Sequence, residues 1–149
     1  MDKKRLTKIL TKADRDTVAA LSADVQTAHT PIIIKEPGKT LAMIKMRDPV
    51  KQGLFYIGEV IVSEAAVELD GVKGAAVTMG DDTEKALHMA IIDAAINRGI
   101  FEHMEALLAL EEEQEDRICR ENAMHLKTMV NFTSMDQEAP SDVNAFKKT

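Results

Sequence analysis

Asp93 stands in the middle of a helical run, Ala86 to Ile96, that is otherwise almost wholly apolar. A carboxylate in such a place needs a partner or a chemical task. Asn97, one helical turn on, can donate to it, so the first reading is a structural hydrogen-bond hub. The alternative is an acid or base whose proton affinity the apolar surroundings perturb. A second acidic pair, Asp81-Asp82, follows Gly80 and precedes Thr83 at the start of the same run. Carboxylates at that position accept from the first amides of a helix. Helix N-termini attract anions, but two carboxylates already occupy this one and repel a phosphate. The remaining chemistry open to them is a Mg²⁺ contact that would carry a nucleotide triphosphate. Asp93, Asp81 and Asp82 are therefore the candidate catalytic residues, with Glu59 and Glu64 weaker ones.

Other side chains offer less. The histidines, His29, His88, His103 and His125, have no second histidine or cysteine at metal-ligand spacing, and no metal site is expected. His88 falls on the apolar helix and reads as a hydrogen-bonded core histidine. No phosphate-binding glycine loop and no nucleophile elbow is present. Cys119, beyond an acidic run that would raise its pKa, reads as packing.

These residues need a scaffold, and 149 residues with 45% hydrophobic content suffice for one domain with a real core. With no Trp and nine Met, that core is built from aliphatic and thioether side chains. A net charge of −6 argues against a nucleic-acid partner. The cations at residues 3–15 read as a solvated helix face. A single cysteine, no membrane-length apolar run and no signal-peptide core lead to the expectation of a soluble protein of the cytoplasm, not bound to a membrane.

Residues 2–12 predict a short helix on Leu6, Ile9 and Leu10. A second runs to about residue 28, capped by Asp14 or Asp16. Ile32 to Ile34 predict a strand, Pro37-Gly38 a turn, and 40–47 a second strand. The stretch 54–69, LFYIGEVIVSEAAVEL, is a long strand with a bulge at Gly58. Asp70-Gly71 closes a two-residue hairpin that sets Leu69 opposite Val72 and Glu68 opposite Lys73. Small residues then face one another, Ala65 with Ala76 and Ala66 with Ala75, leaving room for the helix at 83–97, which Gly99 ends. The expected fold is α+β, an antiparallel sheet of about four strands with helices on one side. Residues 101–130 read as one long helix whose polar belt, 111–117, separates two apolar patches. The segment 130–135 follows as an extended arm. Phe101, Ile118, Met124, Met129, Val130, Phe132 and Met135 are the expected partner-binding residues; a fold back onto the same sheet is the alternative. Residues 1–135 form one domain, and 136–149 are expected to be a disordered tail.

The sequence resembles the PhnG family, the G subunit of the bacterial carbon–phosphorus lyase system. The resemblance rests on LFYIGEV with Phe55, Gly58 and Glu59, the strand from Gly74 to Gly80, the acidic turn before the helix, AIIDAA with Asp93, and VNFTSMD near the end. It implies a subunit of a core complex with the H, I and J subunits, the I subunit being the direct contact. The implied reaction is transfer of an alkylphosphonate such as methylphosphonate to the ribose C1′ of ATP. Adenine is released and α-D-ribose 1-methylphosphonate 5-triphosphate is formed. ATP and Mg²⁺ are then substrates of the complex, with no cofactor bound by this chain alone. The resemblance carries no catalytic residue with it. The isolated chain is expected to form homo-oligomers, and a purely scaffolding subunit or an unrelated small-molecule binding domain are the alternatives.

Overall fold

A computed structural model describes residues 1–130. Its elements are α1 (Lys3–Lys12), α2 (Arg15–Ala28), β1 (Ile32–Arg47), β2 (Leu54–Leu69), β3 (Val72–Met79), α3 (Thr83–Arg98) and α4 (Met104–Thr128). The chain divides into two units, Met1–Asp116 and the residues from Arg117 onward. The described part of the second is the last turns of α4 with Met129 and Val130, where residues 121–130 are exposed. The expected tail at 136–149, and the expected contacts Phe132 and Met135, lie outside the described residues.

The α+β class stands, but the antiparallel sheet has three strands, in the order β1-β2-β3. Ile32–Ile34 and residues 40–47 are one continuous strand, not two. Pro37-Gly38 is a bulge within β1, where the register shifts between Lys35 and Gly38. β1 lies at the sheet edge, where a residue without an N–H need not interrupt the ladder. A second shift, between Ile33 and Lys35, leaves Ile34 over, and a third, between Ile44 and Lys45, leaves Ile57 over, beside the glycine at 58 that marked a bulge.

The β2–β3 hairpin has the expected register. Leu69 pairs with Val72, Glu68 with Lys73, Ala66 with Ala75 and Ala65 with Ala76. Asp70 (φ 48°) and Gly71 (φ 86°) both take the left-handed conformation that a tight hairpin turn needs. The small residues do make room for α3. A Cβ on Gly74 would lie 2.3 Å from the Ala90 carbonyl oxygen and 2.4 Å from the Ala94 nitrogen. The core lies between this half of the sheet, α3, and the apolar faces of α1 and α2. Leu6, Ile9, Leu10 and Val18 meet Val67, Leu69, Met89, Ile91 and Ile92 there. Phe101 and Leu107 join it.

Helix boundaries follow local chemistry. Asp82 caps α3, its side chain accepting from the Lys85 N–H at 3.0 Å. Gly99 (φ 81°) terminates it. Asp14 holds the N-cap position of α2 but makes no side-chain cap. The C-terminus of α1 is closed from a distance: Lys85 Nζ donates to the carbonyls of Thr11 (2.9 Å) and Ala13 (2.6 Å). The acidic belt of α4 is not uniformly solvated. Gln114 is buried and donates to the Ile9 carbonyl at 3.0 Å, while Arg5 grips Glu111 with both nitrogens of its fork. Among the described residues no helix is long and apolar enough to cross a membrane.

Candidate functional site

Asp93 is brought to the sheet by α3 and is spent there. Its carboxylate accepts from Lys3 Nζ at 2.8 Å, from the Ala75 N–H at 3.0 Å and from Asn97 Nδ2 at 3.5 Å. The side chain is 6% exposed, whereas that of Lys3 is 60% exposed. All three donors converge on one oxygen, Oδ2, and tie α1, β3 and α3 together. This is a hub with one cationic partner, and Lys3 belongs to the cluster that the sequence presents as a solvated face. Arg5 and Arg15 of the same cluster also make tertiary ion pairs, with Glu111 and Asp82.

The Asp81-Asp82 turn is likewise engaged. Ser63 Oγ donates to the Gly80 carbonyl and accepts from the Asp82 N–H, both at 2.9 Å, which locks the turn onto β2. Asp82 meets Arg15 Nε at 2.9 Å, and Asp81 meets Lys39 Nζ at 2.6 Å. Burial pushes the Asp82 carboxyl upward in pKa. The Lys85 N–H and the Arg15 guanidinium outweigh it and hold the group below the usual carboxylate range. A Mg²⁺ at this turn would have to displace two cations of the chain, so the donor set is a poor fit for it. Among the described residues no three His, Cys, Asp or Glu side chains stand together as a metal site.

A third cluster carries no local sequence signal. A cleft of about 300 Å³ is lined by Asp24, Val25, Ala28, His29, Ile100, Glu102 and His103. Each histidine in it has a carboxylate partner: His29 Nδ1 lies 2.9 Å from Asp70, and His103 Nε2 lies 2.7 Å from Asp24. Arg98 also reaches Asp70, at 3.2 Å. Imidazoles oriented by carboxylates are equipped for proton transfer. The partners are 41 and 79 positions apart, so only the folded chain reveals them. His88 is elsewhere, beside Ser22 Oγ (2.8 Å) and Gln26 (3.2 Å), and burial lowers its pKa.

The expected contact residues divide. Phe101 is buried in the core and packs edge-on against His103. Ile118 is half-buried, and Met124, Met129 and Val130 are exposed. Cys119, read as packing, is exposed. A further set of exposed apolar side chains lies elsewhere, on β1 and the first half of β2. Leu41, Met43, Met46, Phe55, Tyr56 and Ile57 are all exposed there.

The family model described as "Phosphonate metabolism protein PhnG" matches residues 1–137. The chain belongs to that family, which gives it a role in phosphonate metabolism. No curated protein matches it.

Proposed function

From that membership, we propose that the chain is a subunit of the carbon–phosphorus lyase core complex with the H, I and J subunits. In that complex it is required for transfer of an alkylphosphonate to the ribose C1′ of ATP, with release of adenine. Its role is to complete and stabilise the neighbour that holds the substrates, in the cytoplasm, rather than to host them.

The observation that carries this reading is the internal engagement of the three leading acidic candidates. Asp93, Asp81 and Asp82 are all neutralised by Lys3, Lys39 and Arg15 of the same chain. ATP and a phosphonate are strongly anionic, and a chain of net charge −6 is a poor sole host for either. The exposed Met124, Met129 and Val130 of the second unit, with half-buried Ile118, offer one contact for a neighbour. Phe132 and Met135 extend the same proposal along the chain.

Coexpression with the H, I and J subunits tests it, followed by an assay of methylphosphonate-dependent adenine release with the L subunit, which the family's transfer also requires, added. The expected result is co-purification and activity that vanishes when this chain is omitted. Activity of the other subunits without it, or turnover by the isolated monomer, would sink the reading.

A further inference from the structure

Among the described residues nothing covers the distal β1–β2 ribbon. β3 ends at Met79, opposite Val62, and the Gly80 N–H still reaches the Ile61 carbonyl at 2.9 Å, so residues 54–60 of β2 pair with β1 alone. Residues 54–59 are all exposed, as are residues 39–47 except half-buried Ala42. Successive side chains of a strand point to opposite faces. The run Leu54-Phe55-Tyr56-Ile57 therefore makes both faces of the ribbon apolar. Leu41, Met43, Met46, Phe55, Tyr56 and Ile57 are between 45 and 61% exposed. With Leu54, Ile44 and Ile61 they leave apolar surface uncovered on both faces, and a large exposed apolar surface on a folded domain marks an interaction site. A two-stranded ribbon is also only marginally stable by itself.

Charge says what covers it. Residues 39–61 carry four cations and two carboxylates, on a chain whose total is −6. Lys39 is taken by Asp81, but no carboxylate among the described residues pairs with Lys45, Arg47 or Lys51 at the tip. Asp48, beside them, is occupied as an acceptor for the Val50 and Lys51 amides. Ribbon against ribbon in a second copy would set these cations against their own kind. The cleft beside α2, about 300 Å³ and lined by Asp24, His29, Glu102 and His103, is too small and polar to receive the ribbon.

We propose that the β1–β2 ribbon inserts into an apolar groove, rimmed by carboxylates, on a different protein subunit. This rests on the reading of the chain as a subunit of the phosphonate complex. It adds to the helical contact a clasp that grips through both faces and steers by charge.

The test uses the full chain coexpressed with the H, I and J subunits. Two double variants are compared with wild type: Phe55→Asp with Ile57→Asp, and Lys45→Glu with Arg47→Glu. Partner recovery is expected to fall about ten-fold or more in the first, as for an interface anchor, and several-fold in the second. Urea melts of the free variants should match wild type, because neither pair belongs to the core. Wild-type recovery of partners by Phe55→Asp/Ile57→Asp overturns the inference and leaves the subunit reading intact. So does a dimer of the free chain that both variants dissolve, which would make a second copy the occupant. If wild type itself recruits no partner, the subunit reading falls and takes this inference with it.

Discussion

Lys3 and Asp93, ninety positions apart, meet at 2.8 Å and fasten the first helix to the buried one. The pair is lopsided, since Lys3 is mostly solvated and Asp93 is not. Asp93→Ala would remove the shared acceptor of Lys3, the Ala75 N–H and Asn97, and losing hydrogen bonds to a charged group costs about 1.5–3 kcal/mol. Lys3→Ala removes only a screened partner and should cost less than about 1 kcal/mol. Urea denaturation of the two variants checks this ordering. Equal costs would mean that the charge pair, not the backbone bond, dominates.

Asp93→Asn separates structure from chemistry. It keeps the shape, so a destabilised but assembled complex should release adenine at close to the wild-type rate. A rate loss of 10³ or more with intact assembly would instead mark Asp93 as an acid or base of the reaction.

Gly74→Ala tests how closely α3 sits on the sheet. The new Cβ would fall 2.3 Å from a backbone oxygen, a contact that no rotamer can relieve. Overpacking typically costs about 1–3 kcal/mol, and the upper end or beyond is expected here because backbone must move. A thermal melt reads it directly. A small shift would mean that α3 slides freely over β3.

The His88 imidazole supplies a pH dependence. Burial lowers its folded pKa below the ordinary value near 6.5. Above that pH both states are neutral there and the contribution is complete. Below it the unfolded chain takes up the proton first, so stability falls as pH drops toward the folded pKa. His88→Gln removes this titration while keeping a side chain able to bond with Ser22. The difference in unfolding free energy between wild type and variant should therefore change between pH 7 and 5. A difference flat across that range would contradict the assignment.

Much of this was legible in the residues themselves, and the boundary between what was and was not is physical. The hairpin register follows from Asp70-Gly71, because a two-residue loop leaves the pairing no freedom. The cap at Asp82, the stop at Gly99 and the help of Asn97 to Asp93 are all within four positions of their partners. Lys3, the Ala75 amide and the two imidazole–carboxylate pairs are not, and no local pattern announces a contact across tens of residues. Pro37-Gly38 misled because a turn signal does not say whether the strand lies at an edge. The ribbon misled more deeply. The stretch reads as a long apolar strand, and nothing in LFYI reveals that the described residues supply no layer to bury it.

That uncovered ribbon should show in hydrogen exchange of the free chain. Residues 62–68 of β2 run between β1 and β3 and lie over the core, whereas 54–60 pair with β1 only. Exchange follows local opening, and sparse burial lowers its free energy. The amides of 54–60 should exchange faster than those of 62–68, by on the order of ten-fold or more. On addition of the partner subunits the difference should shrink, as the groove supplies the missing layer. Equal protection in the free chain would mean that the ribbon is stable without a partner, and the apolar faces would then need another explanation.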